Sequence, residues 1–465
     1  MAVTEGERAL EALVRPSFLT PWMYPNLYYK KGKELADIIV RFGDVAIIIS
    51  EKSKKFNYES SIEHVWGRWL KNIGKAQDQI DGAERMLRKG QALYLDAKCT
   101  NPAPSFLTDH EPNDVYRIVV AQGCAEACSS LFGTEEPGLI IHSEVNGSAP
   151  VLPFSYNPWK DEKIYHVLNE YSANVVFSLI DTTRDLVDYL HEKERLLRSV
   201  ESFSAHGEEQ LVRHYVTNID ADGNHSFDAL IKLIEDDKPN FVMYDEEDYT
   251  SFQNSSELEQ KRILDVPSYI VDKFVNHFYP RIEGCADKEG EEALRILAEL
   301  RRIERRMLGK SFYVFRTSEH GNGIAARTIV VGGSLKEADT AIILTSYGLP
   351  FDNNDEGRAK AQDIAADIQM FYAHRMHKVA PNISRYVAVG FIKSTADKSA
   401  NIGEFISLVR TDQIREEDFD DLQELATRLG VSTSLPDVQP YHTSEYGEND
   451  DDSATAASDF PTIPT

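Results

Sequence analysis

An acid and an amine stand at spacings that could bring them together at one sheet edge. Asp37 opens an apolar run, Ile38-Ile-Val-Arg-Phe, and Gly43-Asp44 offers a turn. A second apolar run, Val45-Ala-Ile-Ile-Ile, ends in Ser50-Glu51-Lys52-Ser53. Antiparallel pairing of two such strands sets the beginning of the first beside the end of the second, so Asp37 and Lys52 should meet at one sheet edge. Both runs are almost wholly apolar, as expected of strands buried on both faces. The helical stretch that follows carries Gln77 and Gln79. Mg²⁺ takes oxygen ligands from carboxylates, carbonyls and water, and a neighbouring lysine can orient or deprotonate a water. Together these groups could stabilise charge on a phosphodiester and hydrolyse a nucleic-acid backbone.

The elements that must position these groups can be read along the chain. Residues 60–89 form a long amphipathic pattern with Ile62, Val65, Trp66, Trp69, Ile73, Ile80, Ala83 and Leu87 on its apolar side, and Gly90 as a stop signal. Residues 4–15 predict a short helix with Thr4 as cap and Glu7 as capping-box partner. Pro16, Pro21 and Pro25 then predict an irregular aromatic segment. Further strands are expected at 92–95, 116–121, 138–142, 174–178, 311–315, 328–331, 340–344 and 386–391, with helices at 182–199 and 290–308. The chain divides on this reading into an α/β domain over 1–205, a mostly helical α/β region over 206–436 with a regulatory or recognition role, and an acidic disordered tail over 437–465.

The Asp–strand–turn–strand–Lys pattern resembles the PD-(D/E)xK nuclease superfamily, whose fold is a mixed sheet flanked by helices (restriction-endonuclease-like). The stretches Phe18-Leu-x-x-Trp22-x-Tyr24-Pro25-Asn26, Gly32-Lys33-Glu34-Leu35-x-Asp37 and Gly82-Ala83-Glu84-Arg85 are also similar to a group of bacterial proteins with a nuclease-like N-terminal half. That similarity extends to Asp181-Thr-Thr-Arg-Asp-Leu-Val-Asp-Tyr-Leu and Arg305-Arg-Met-Leu-Gly-Lys, whereas the superfamily resemblance covers about the first 140 residues. The resemblance implies that Asp37 binds metal, that Lys52 is the catalytic lysine and that Gln79 lies near the scissile phosphate. Glu34 or Glu11 matches the helix glutamate ahead of the first strand, with Glu34 preferred because it lies beside Asp37. One position departs from the pattern. The superfamily places an acid two residues before the lysine, because residues i and i+2 of a strand share a face, and here that position is Ser50. Either a bulge turns Glu51 toward the metal, or Ser50 is a poorer ligand, or the site is degenerate. Asp96-Ala97-Lys98 has the literal spacing but follows the long helix.

Charge and composition narrow the alternatives. The 465-residue chain carries a net charge of −26, yet residues 28–89 hold 13 Lys and Arg against 9 Asp and Glu. Lys54, Lys55, Arg68, Lys71 and Lys75 are candidate nucleic-acid contacts, and Trp22, Tyr24, Tyr28 and Tyr29 could stack on bases. From 437 onward there are 7 acids and no Lys or Arg. Four cysteines make no disulfide framework, no run is long enough to span a membrane, and the N-terminus lacks a secretion pattern, which together point to the cytoplasm. Cys124 and Cys128 read as buried small residues. Asp220-Ala-Asp222-Gly-Asn224 and Val331-Gly-Gly-Ser334 read as turns. The expected function is a Mg²⁺- or Mn²⁺-dependent endonuclease acting on DNA, with antiviral defence the setting that the resemblance implies. The alternative is a catalytically degenerate nuclease-fold scaffold or interaction protein that binds a partner through its C-terminal region; the expected partners are a nucleic acid and either a partner protein or, as a homo-oligomer, further copies of the chain.

Overall fold

The computed structural model describes residues 4–54, 61–133, 137–144, 152–219, 224–237, 251–282, 288–317, 324–331, 338–349, 351, 354–394, 403–413 and 419–429. These fall into two units, Met1–Ser255 and Ser256–Thr465. The expected acidic tail, the acidic run at 245–248 and most of the two expected turns at 220–224 and 331–334 lie outside the described residues.

In the first unit, α1 (Glu5–Trp22) starts at a Thr4 cap, and the capping box closes through Thr4 N–H to Glu7 Oε2 at 2.8 Å and Glu7 N–H to Thr4 Oγ1 at 3.1 Å. The helix does not stop at Pro16. It runs on as two pieces joined at Leu19 (φ 54°), with Pro21 at the start of the second piece, where its missing N–H goes unused. The strands that follow are β1 (Met23–Pro25), β2 (Tyr28–Lys30), β3 (Lys33–Glu34), β4 (Ile38–Phe42) and β5 (Val45–Ser53). Then come α2 (Ile62–Arg88), β6 (Asp114–Gln122), α3 (Ala125–Phe132), β7 (Ile140–Glu144), β8 (Ser155–Tyr156), β9 (Trp159–Lys160), β10 (Lys163–Ile164) and β11 (His166–Asn169). The unit continues with α4 (Glu170–Leu179), α5 (Thr183–Ser199), β12 (Ser202–Ala205), α6 (Glu208–Thr217) and α7 (Asp228–Asp237).

The central sheet has the order β1-β4-β5-β6-β11. β1–β4 and β4–β5 are antiparallel, whereas β5–β6 and β6–β11 are parallel. The 27 residues of α2 provide the crossover that the parallel β5–β6 pair requires. Ile38, Ile39, Val40, Ile47, Ile48 and Ile49 are all essentially inaccessible, as a strand covered on both faces demands. The fold is thus a mixed sheet with helices against it. The expected boundary at 205 falls inside this unit, because β12 pairs with β7 and α6 packs on α4.

Two expected strands are corrected. Residues 174–178 belong to α4, which Asn169 caps through Ser172 N–H at 2.9 Å; a short apolar run alone does not separate strand from helix. Residues 92–95 form only isolated bridges, Tyr94 with Tyr28 and with Pro102.

The second unit contains α8 (Ser256–Asp265), α9 (Tyr269–Ile282), α10 (Lys288–Glu299), α11 (Arg302–Thr317), β13 (Ile324–Val331), β14 (Thr340–Leu349), α12 (Asp355–Val379), β15 (Arg385–Ser394), β16 (Gly403–Arg410) and α13 (Phe419–Arg428). The expected strand at 311–315 is the continuation of α11. Its sheet runs β13-β14-β15-β16, with β14–β15 parallel and the two outer pairs antiparallel. The path β13–β14–α12–β15 repeats β4–β5–α2–β6: an antiparallel hairpin, a crossover helix, then a parallel strand. Within it Gln369 Nε2 donates to Thr345 Oγ1 at 3.3 Å.

The Arg-rich segment of α11 is structural. Arg302 and Arg305 share the Asp272 carboxylate at 2.7 and 2.6 Å, and Arg306 meets Asp265 at 2.8 Å. Gly309 lies against the preceding 3-10 turn, Val266–Ser268, so closely that a Cβ there would stand 2.0 Å from the Pro267 carbonyl oxygen. Gly309→Ala should therefore lower stability by about 1–3 kcal/mol, since backbone rather than a mobile side chain must give way. Urea denaturation of the full chain measures this, and an unchanged midpoint would contradict the close approach.

Candidate active site

Asp37 lies one residue ahead of β4, in the slot that continues the Ile38–Ile49 pairing opposite Ser50. Its carboxylate accepts from Glu51 N–H, and Asn26 N–H donates to its carbonyl oxygen at 3.0 Å. Ser50 and Lys52 share the α2 face of β5. There Lys52 Nζ donates to Ser50 Oγ at 3.0 Å, to Gln79 Oε1 at 3.1 Å and to the Glu51 carbonyl at 2.9 Å. Ser50 Oγ also donates to Gln79 Oε1 at 3.1 Å. The structure therefore brings Asp37, Ser50, Lys52 and Gln79 to one sheet edge.

Glu51 takes the opposite face. The β5–β6 register runs without a shift from Val45 to Ser53, so no bulge turns Glu51 toward Lys52. Its carboxylate accepts from Ser53 Oγ and packs against Gly6 in the first turn of α1, and Gln122 Nε2 donates to the Gly6 carbonyl at 3.2 Å. Of the three readings open at Ser50, the bulge is removed. The reason is that β5 is paired along its whole length and an inserted residue would break its ladder.

Glu34, on β3, is partly buried, and its Oε1 is inaccessible and accepts no hydrogen bond among the described residues. Burial first, then the Asp37 and Glu7 carboxylates, push it up to about 7. Burial also raises Asp37 against the opposing pull of the Glu51 N–H and Lys52, and it raises Glu51. Glu7 is the acid that sequence reasoning placed only in a helix cap; its field reaches Glu34, Asp37 and Glu51. Nothing local to its sequence signals that the first turn of α1 lies over the sheet edge. Asn26 likewise carries no local signal of its place here. It is 2% exposed, and neither atom of its side-chain amide has a hydrogen-bond partner among the described residues.

Glu11 pairs with Arg15 and plays no part in this cluster. Asp96 is tied into its own loop, accepting from the N–H groups of Asn101, Lys98 and Thr100, so the alternative Asp96–Lys98 motif is a turn. Trp22 and Tyr24 are buried against Phe42 and Phe106, which removes them as base-stacking surfaces. Cys124 and Cys128 are both buried, as expected. A second set of buried charges, Glu208 with Tyr189 and Lys193, is internally paired.

The basic candidates divide. Lys55 lies outside the described residues, and Lys54 is exposed just beyond β5. Arg68, Lys71 and Lys75 fall with Gln79 within one narrow arc of α2, at successive spacings of three, four and four residues. The row is about 16 Å long at 1.5 Å per residue. Lys71 and Lys75 are exposed and form no ion pair among the described residues. Asp78, on the flank of that arc, is engaged by Lys160, and farther round the helix Asp81 and Glu84 are engaged by Lys163 and Arg117.

Among the described residues no group of three or more His, Cys, Asp and Glu side chains stands close enough to hold a metal ion. The donor chemistry nonetheless suits a hard divalent cation. Acids desolvated together, one with an unmatched buried oxygen, have Lys52 as their cationic neighbour among the described residues, and a further cation is what would offset that charge. No family model, curated protein or solved structure matches this chain. No helix among the described residues is long and apolar enough to cross a membrane.

Proposed function

We propose that this protein is a metal-dependent nuclease that hydrolyses phosphodiester bonds in DNA, with Mg²⁺ or Mn²⁺ as cofactor. The observation that carries this reading is the convergence of Asp37, Lys52 and Gln79 at one edge of a buried mixed sheet, with further acids beside them. The helix-flanked sheet agrees with the nuclease resemblance, and so do the places of Asp37, Lys52 and Gln79 on it.

Asp37 and Glu34 would hold the cation, which when bound supplies charge stabilisation to the phosphate. Lys52 Nζ stands where it could turn one of the N–H groups now given to Ser50, the Glu51 carbonyl and Gln79 toward the attacking water and orient it. Gln79 holds Lys52 in place and offers its amide to a phosphate oxygen. The Arg68–Lys71–Lys75 row would track the polyanion toward that edge.

Incubation of the purified full chain with supercoiled plasmid, linear DNA and RNA, with Mg²⁺, Mn²⁺ or EDTA, tests the reading. Metal-dependent cleavage supports it, and intact polymer under every condition removes it. Lys71→Ala and Lys75→Ala should each weaken DNA binding about equally for all sequences and flatten the salt dependence of log K by about 1. Filter binding across a salt series reads that slope, and an unaltered slope would dissociate the row from the substrate.

One observation favours a second reading. Ser50 stands where the superfamily has an acid, and all three Lys52 donors are already satisfied. A scaffold that binds a partner protein or a second copy through its second unit would retain the fold without cleavage. The antiviral setting rests on the resemblance and belongs with the nuclease reading.

A further inference from the structure

Asn26 follows β1 directly and stands across from Asp37. The β1–β4 pairs Tyr24–Ile39 and Pro25–Ile38 continue to Asn26–Asp37, which the Asn26 N–H closes on the Asp37 carbonyl at 3.0 Å. Ser50 lies opposite Asp37 from the other side, as the Ile38–Ile49 pair continues. Asn26, Asp37 and Ser50 therefore form one row across three neighbouring strands. Cβ atoms directly opposite in a regular antiparallel pair stand about 4.5–5.5 Å apart, so one ion can span two such side chains. The ribbon is also offset at this point. Between the Pro25–Ile38 and Tyr28–Glu34 pairs, Asn26 and Leu27 face Leu35, Ala36 and Asp37, so the second strand holds an extra residue. Offsets of this kind re-aim side chains and recur beside active sites.

Ser50 is committed to Lys52 and Gln79. The Asn26 amide is not committed. The residue is 2% exposed, and its Oδ1 and Nδ2 are both shut off from solvent without a hydrogen-bond partner among the described residues. A buried amide with neither end met is costly. The backbone adds to that cost, since φ is 52°, in the left-handed region. Glycine would adopt this backbone freely and bury no amide. A hard divalent cation takes neutral carbonyl oxygens alongside carboxylates, and such an ion beside Asp37 would meet the amide oxygen. We propose that Asn26 Oδ1 is a ligand of the divalent cation, a neutral oxygen supplied next to Asp37 at the rim where β5 presents Ser50 instead of an acid.

This inference rests on the metal-site reading above and adds a ligand to it. An amide oxygen brings a donor without placing a further negative charge among buried acids. The two N–H groups of the same amide remain for a phosphate oxygen of the substrate.

The test is Mn²⁺ binding to the full chain, read by calorimetry and by the shift in thermal midpoint, so that it does not depend on turnover. Asn26→Gly keeps the left-handed backbone and removes the amide. It should weaken Mn²⁺ binding at least about tenfold, since loss of even an indirect partner of a metal ligand costs that much. Its thermal midpoint in EDTA should hold or rise, because an unmet buried amide is gone. Asn26→Asp retains an oxygen at that place and should hold or tighten the affinity, with a lower midpoint in EDTA because a second carboxylate is buried beside Asp37. Unchanged affinity in Asn26→Gly, with loss in Asp37→Asn, would overturn the ligand role and keep the metal site. A lower EDTA midpoint alongside that unchanged affinity would make Asn26 a structural residue. Equal loss of affinity in Asn26→Gly and Asn26→Asp would also overturn the ligand role, because the N–H groups and not the oxygen would then matter. Absence of Mn²⁺ binding in the unsubstituted chain would overturn the metal-site reading itself.

Discussion

Asp37→Asn and Lys52→Ala should each reduce metal-dependent DNA cleavage by about 10²–10³-fold or more, while leaving the protein folded. That magnitude is the usual loss when one preorganised group that stabilises developing charge is removed. Asp37 is 8% exposed and sits where burial disfavours its charge, so Asp37→Asn takes a destabilising charge out of the metal-free protein. Its thermal midpoint in EDTA should hold or rise, and the stabilisation by Mn²⁺ should disappear. Lys52→Ala removes the donor common to Ser50, Gln79 and the Glu51 carbonyl. It should leave Mn²⁺ binding in place while abolishing turnover, which separates the two roles. Wild-type cleavage rates in both variants would mean that the chemistry lies elsewhere in the chain.

The largest expected effect on stability lies on the other side of α2. Glu84 is 4% exposed and accepts Arg117 in a two-pronged contact, Nη2 to Oε1 at 2.8 Å and Nε to Oε2 at 3.0 Å. Lys163 adds a bond at 3.0 Å and Arg88 one at 3.1 Å. Burial alone would raise its pKa, but these three cations overcome that and hold it down at about 2. Glu84→Gln leaves Arg117 buried beside a neutral amide and should cost about 3–5 kcal/mol, the range for breaking one partner of a buried pair. A group held below its usual value of 4.5 contributes its stability above that value and loses it as pH falls toward about 2. The unsubstituted protein should therefore weaken over that acid window, and Glu84→Gln should be less stable at neutral pH with a flatter acid limb. Denaturant midpoints from pH 7 downward give both quantities, and a loss below about 0.5 kcal/mol would mean that the network is a surface feature.

How far the sequence carried can be judged from particular residues. Strands β4 and β5 were legible because near-continuous β-branched runs around Gly43-Asp44 have few other ways to fold. Their pairing then puts Asp37 and Lys52 together, whereas Gln79 rather than Gln77 is singled out by the resemblance and not by spacing. Residues 174–178 and 311–315 fit strand or helix alike because a mostly apolar stretch so short has no decisive period, and the deciding information is the Asn169 cap in one case and the continuity of α11 in the other. The direction of Glu51 followed from strand alternation, but the choice among bulge, weak ligand and degenerate site needed the β5–β6 register. Glu7 and Asn26 could not be placed at the site, since their neighbourhood is created by α1 and β1 meeting the sheet edge rather than by anything within a few residues of them.

The recurrent path in the second unit has a consequence for how catalysis could be gained or lost on this scaffold. Position for position, Asp37, Ser50 and Lys52 correspond to Ala326, Thr345 and Tyr347: Ala326 pairs with Thr345 as Asp37 faces Ser50, and Tyr347 follows two residues on. The hydroxyl and the helix glutamine persist, whereas the acid and the amine do not, and the Tyr347 hydroxyl donates to the Ala365 carbonyl at 3.0 Å where a lysine would otherwise seek polar company. The chain thus carries its own blank. The same route through space is sealed with a methyl group and an aromatic ring in one unit and edged with ionisable side chains in the other, so the two rims differ in these two side chains and not in the course of the backbone.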